Sequence, residues 1–194
     1  GADAYLGAAY VASGDYRQAE DFLRNAMQPL EGDLSHERFG LHGVAAVLSY
    51  WYLGWSLAER GALDEGIALG REAVRLAEAV DHPYSLVVAC CRLAALYTVQ
   101  GNFSEAVSLL ERSLAMARDW NLTLLSPIAL ESLGHLYALS GRVAEGLPLL
   151  RQALKSLESI GATQYHSLGV VHLGEACVLA DQLEDAMASA GEVL

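Results

Sequence analysis

One pattern recurs five times in this chain and constrains most of what it can fold into. Leu6, Leu53, Leu93, Leu133 and Leu173 each open a 22-residue segment that aligns with the others without gaps. Their spacings are 47, 40, 40 and 40 residues. Within each segment the same demands return. A small residue follows the leucine at Gly7, Gly54, Ala94, Gly134 and Gly174, where a neighbouring helix must come close. Tyr10, Leu57, Tyr97, Tyr137 and Cys177 lie near the leucine on the same helical face. Gly14, Gly61, Gly101 and Gly141 then stop the first helix, with Asp181 in the fifth copy, a poorer residue for a left-handed turn. Ala19, Gly66, Ala106, Gly146 and Ala186 are small again, where a second helix packs back on the first. Each segment is therefore a helix–turn–helix, and the expected fold is an all-α solenoid.

The leucine, small residue and tyrosine of LGAAY and LGHLY, the turn glycine, and the later small residue, leucine and alanine resemble the tetratricopeptide repeat. The resemblance spans nearly the whole chain. It departs from the family in its longer period and in lacking the closing proline. It implies a right-handed superhelical solenoid of about five repeats, near 1–34, 35–81, 82–121, 122–161 and 162–194, in a single array. The extra residues fall in stretches such as Ala77–Ser85 and Asp119–Pro127. Long repeats of this kind are similar to the sensor arrays of bacterial signal-transduction ATPases, including maltose-regulon-type activators and ATPase-linked nucleotide cyclases. The wording from Glu37 to Ser85 looks most like the cyclase-linked group. Gly1 at the start and a helical pattern at Leu194 suggest a fragment whose output domain lies elsewhere.

The composition removes several alternatives. With 12 basic and 24 acidic residues the net charge is −12, and Lys155 is the one lysine. Nucleic-acid binding needs clustered cations, and the arginines here are scattered. Three cysteines are too few for a disulfide framework, which fits a reducing cytoplasm. The run Phe39–Ala58 is uncharged and long enough to raise a membrane span. It contains His42, Ser49 and Ser56, and it aligns with ordinary amphipathic helices at Leu93 and Leu133, so it reads as a repeat helix.

That run holds the densest aromatic cluster, Tyr50–Trp55. Tyr50, Leu53, Gly54 and Leu57 belong to the core face. Trp51 and Trp55 stand beside it, about 40° apart around the helix. In the tetratricopeptide family this side of the first helix lines a concave surface. The matching positions are Leu48, Trp51, Tyr52 and Trp55 in repeat two, and Val88, Cys91, Arg92 and Ala95 in repeat three. Repeat four supplies Ile128, Glu131, Ser132 and His135; repeat five supplies Leu168, Val171, His172 and Glu175. The expected groove runs from apolar to polar and acidic, suited to a segment with an apolar anchor and a hydrogen-bonding or basic end. Large aromatics at helical spacing also serve as core, and periodicity alone leaves both roles open for the two tryptophans.

No phosphate-binding loop, paired-cysteine motif or G-x-S-x-G nucleophile turn occurs. His36–Gly40 begins like a zinc-protease motif and lacks its second histidine. Glu131 with His135, and His172 with Glu175, share helix faces on equivalent helices of neighbouring repeats. They form either a hydrated groove wall or a ligand set, and the spacing is no recognised metal signature. Pro83 and Pro127 sit between repeats, Pro148 should distort a second helix, His82 and His166 read as surface residues, and Glu31–Glu37 reads as a longer loop. Arg17, Arg24, Arg71, Arg75, Arg112 and Arg151 should solvate the outer helices. The expectation is a non-enzymatic interaction module without cofactor or metal. Its partner would be a protein, a peptide or another domain of its own chain, and its exposed ends could self-associate. A small-molecule sensor array, and a metal or enzymatic site between repeats four and five, are the alternatives.

Overall fold

The chain turns through positive φ at the end of every leading helix. Gly14, Gly61, Gly101 and Gly141 have φ of 78°, 92°, 81° and 86°, and Asp181 takes the same conformation at 59°. After each turn a backbone amide reaches back five residues, as Ala62 to Leu57 and Arg142 to Tyr137 do at 2.8 Å. This closes the carbonyls that a helix end leaves open. A second left-handed residue joins one repeat to the next: Asp81 and Asn121 at 51° and Gly161 at 67°.

The computed structural model describes residues 2–27 and 43–193. Among them are ten helices: α1 (Ala2–Ala12), α2 (Tyr16–Met27), α3 (Ala45–Glu59), α4 (Leu63–Ala79), α5 (Pro83–Gln100), α6 (Phe103–Asp119), α7 (Leu125–Leu139), α8 (Val143–Ser159), α9 (Thr163–Leu179) and α10 (Leu183–Val193). None is long and apolar enough to cross a membrane. The segment Glu31–Glu37, the His36–Gly40 stretch and His42 lie outside the described residues.

Two compact units divide the chain, Gly1–Asn102 and Phe103–Leu194. In the first, α1 pairs with α2 and α3 with α4, while α3 also packs on α1 and α5. In the second, α7 pairs with α8 and α9 with α10, and α7 packs on α9. The small residues act where helices pair. A Cβ on Gly66 would lie 2.4 Å from the Gly54 carbonyl oxygen, and one on Gly146 would lie 2.4 Å from that of Gly134. Backbone meets backbone there, so glycine allows these helices to approach. Around the contacts Ala19, Leu23, Leu53 and Leu57 form one core cluster. Ala138, Leu147, Leu150, Ala176 and Cys177 form another.

Local chemistry sets the helix starts. Pro83 occupies the first turn of α5, where a missing amide costs nothing. His82, expected at the surface, caps that helix: its Nδ1 accepts from the Ser85 amide at 3.3 Å. The buried Ser85 hydroxyl in turn accepts from Val44 N–H at 2.8 Å, tying the start of α5 to that of α3. Pro127 likewise falls in the first turn of α7. Pro148 sits inside α8, yet the helix runs unbroken from Val143 to Ser159. Arg71 is exposed, as expected, and its side chain also donates to the Tyr97 hydroxyl at 2.8 Å. Arg24 and Arg151 form exposed ion pairs with Glu65 and Asp185.

Candidate functional site

The polar cluster lies wholly in the second unit, on the adjacent helices α7 and α9. Glu131 and His135 are one turn apart on α7; His172 and Glu175 are one turn apart on α9 in reversed order. Packing of the two helices makes two crossed pairs. His135 Nε2 lies 2.7 Å from Glu175 Oε2. His172 Nδ1 bonds the Glu131 carboxylate, which also accepts from the Ser132 hydroxyl at 3.3 Å. Between the pairs the imidazole rings stack, with centroids 3.7 Å apart and planes 7° from parallel.

Depth differs sharply across the cluster. Glu131 is only 5% exposed, whereas Glu175 is exposed. Gly169 makes that burial possible: a Cβ there would lie 2.8 Å from a Leu154 methyl and 3.2 Å from Glu131 Cγ. Burial, reinforced by the neighbouring His172, holds the His135 ring below the usual histidine range. One donor atom each from His135, His172 and Glu175 falls within 4.8 Å of the others. Two imidazoles and a carboxylate converging in this way have the donor types of a transition-metal site.

The aromatic positions lie in the first unit, on α3 and α5. Trp51 is 8% exposed, which answers for this residue what periodicity left open. Its ring stacks on Tyr52 with centroids 3.7 Å apart. The Arg92 guanidinium of α5 lies over it, 4.5 Å from the ring centroid. The buried indole Nε1 has no hydrogen-bond partner among the described residues. Trp55, Leu48, Val88, Cys91 and Arg92 are half-buried. Tyr52 packs onto the Ala19–Leu23–Leu53–Leu57 cluster, so much of its ring belongs to the core.

In the second unit Ile128 and Ser132 are half-buried on α7, and Leu168 and Val171 are exposed on α9. The Trp51–Arg92 contact and the burial of Glu131 were beyond sequence reasoning, which placed these residues on a face without depth. The available signal was spacing: Glu131 to His172 and His135 to Glu175 are separated by 41 and 40 residues, about one repeat. None of the three cysteines is in a disulfide, with Cys90 and Cys177 buried and Cys91 half-buried.

Tetratricopeptide-repeat sequence models match at residues 87–119 and at residues 1–25 and 127–152. No curated protein matches the sequence. Among solved structures the chain is similar to a protein of Podosopora anserina named as a kinesin light chain with nearly identical TPR-like repeats. That likeness has 20% identity and a TM-score of 0.71, covering 99% of this chain and 91% of the other. It is also similar to a signal-transduction ATPase with a tetratricopeptide-repeat sensor from Pyrococcus horikoshii, at 15% identity and TM-score 0.72, covering 98% of this chain and 28% of that one. A Rap protein complexed with competence and sporulation factor matches at 12% identity and TM-score 0.73, covering 97% and 60%. At these identities the likeness is one of fold. With the repeat matches in both halves and the paired helices described above, the chain carries tetratricopeptide repeats in each of its two units.

Proposed function

We propose that this chain is a recognition module that holds a peptide segment or partner domain against the first helices of its repeats. It would serve as the regulatory array of a larger bacterial signalling protein in the cytoplasm. The observation that carries the reading is Arg92. Its guanidinium lies across Trp51, and among the described residues no carboxylate pairs with it. Leu48, Trp55 and Val88, half-buried like Arg92, are assigned by this reading to the same face. A half-buried cation flanked by aromatic and aliphatic side chains is complementary to a segment presenting an apolar anchor beside an acidic group. The Rap protein that shares the fold is complexed with competence and sporulation factor, and the Pyrococcus repeats are named a sensor; both support recognition as the use of such helices.

Trp55 and Arg92 are the residues to change, because Trp51 is buried and its loss would disturb packing. Peptide-display selection on the chain should enrich segments that pair an aromatic or aliphatic residue with an acidic one. A Trp55→Ala/Arg92→Ala variant that still folds, by circular dichroism, should lose that enrichment. Identical selection on both proteins would overturn the assignment of this face. If no peptide is enriched but a small metabolite raises the melting temperature, the face belongs to an effector sensor instead.

A further inference from the structure

Glu131 sets the problem. It is buried on α7, and its partners are the Ser132 hydroxyl and the His172 ring. A buried carboxylate needs positive charge beside it. Among the described residues no lysine or arginine pairs with either Glu131 or Glu175; their ion partners are the two histidines. The two imidazole rings lie face to face at 3.7 Å between the two carboxylates. A divalent cation would set positive charge beside both carboxylates with a single particle and take imidazole nitrogens as ligands.

We propose that His135, His172 and Glu175 bind a divalent transition-metal ion of the zinc class, with Glu131 as the carboxylate that orients His172. The three donor atoms already lie within 4.8 Å of one another. Ligands at about 2.0–2.1 Å from zinc in a tetrahedron sit roughly 3.4 Å apart, and the ion lies in the plane of each imidazole, so binding would turn the His135 ring out of its near-parallel stack on His172. The Glu175 side chain, at 54% exposure, has room to follow. Glu131 occupies Nδ1 of His172 and leaves Nε2 as the donor, the pairing that fixes tautomer and ring orientation at metal centres. Imidazole with carboxylate suits zinc and its neighbours better than magnesium or calcium, which prefer all-oxygen shells. Three protein ligands leave a fourth position for water or for a donor from a bound partner. This site goes beyond the recognition reading and stands independently of it, since the two lie in different units.

The test is titration of tag-free chain, stripped with chelator, using Zn²⁺ alone by calorimetry and Co²⁺ alone by visible absorbance. One ion per chain and a tetrahedral cobalt spectrum are expected. Glu175→Ala, at an exposed position that leaves the packing untouched, should abolish the spectrum. Glu131→Gln should weaken binding by about 10–100-fold while the ligands stay in place. Absence of heat and spectrum at millimolar metal would overturn the proposal. So would unchanged affinity in Glu175→Ala, or binding that disappears with Cys91→Ser and thus belongs to a thiol.

Discussion

Asp181 is where the repeat departs from its own rule at the level of a single residue. Four leading helices end on glycine, and the fifth holds aspartate at φ 59°. A side chain there crowds the backbone, a cost that aspartate lowers but does not remove. Asp181→Gly relieves it and gives back part of the gain in unfolded-chain entropy. The expected outcome is a stabilisation of about 0.5 kcal/mol, read as a higher urea midpoint at unchanged slope. A lower midpoint would mean that Asp181 makes interactions outweighing its strain. The sequence showed this position because glycine fills it in the other copies. It did not show Asp81, Asn121 and Gly161, which take the same conformation between repeats. Their spacing is regular, but the residue type changes each time, and no single side chain announces the turn.

Between elements, the tyrosine three residues beyond the small position links one repeat to the next. Tyr97 on α5 accepts from Arg71 of α4, and Tyr137 on α7 donates to Glu111 of α6 at 2.7 Å. The geometry repeats while the partner changes sign, so the hydroxyl donates in one case and accepts in the other. Periodicity made the tyrosines legible as core residues. Their hydroxyl partners were not legible, because those stand on a different helix 26 residues away. The same limit applies to the candidate site. Sequence spacing put Glu131, His135, His172 and Glu175 on neighbouring helices, but their depth and crossed pairing depend on how α9 lies over α7.

Tyr137→Phe should cost about 1.5–3 kcal/mol, the range for a hydrogen bond to a charged group. It should also change the alkaline limb. Burial, and then Glu111, push the Tyr137 phenol above its ordinary value, so the folded chain keeps a proton that the unfolded chain releases near pH 10. Stability from this group is complete below that pH and falls as pH rises through the folded value. Urea melts across pH 8 to 11 should show a steeper loss for the parent than for Tyr137→Phe. Parallel losses would place the phenol's titration outside the folding equilibrium.

At the scale of the whole molecule, the face of α9 and α10 beyond the last described helix pair repeats an internal surface without its cover. In the preceding repeat Ala138 is buried and Leu147 is 6% exposed, packed beneath Ala176 and Cys177 of α9. One repeat later the equivalent positions are Val178 at 58% and Met187 at 76%. Leu179 and Leu183 are exposed beside them, and an apolar hollow of about 420 Å³ opens between α9 and α10, lined by Val170, Val171, Gly174, Val178 and Ala186. Contiguous apolar surface of this kind favours association. A second copy presents the same apolar patch, and a two-fold axis would bring the two patches together. Sedimentation velocity over a concentration series should therefore show a growing dimer fraction for this chain. Burying one large apolar side chain contributes about 1.5–3 kcal/mol, so replacing it by a charge should weaken the dimer at least tenfold. Met187→Glu is expected to do so. Val99→Glu, at an exposed valine in the other unit, should leave the dimer unchanged. A parent chain that stays monomeric at every concentration would refute the self-association. Equal loss in both variants would move it to a property of net charge, because each adds one negative charge to a chain already at −12.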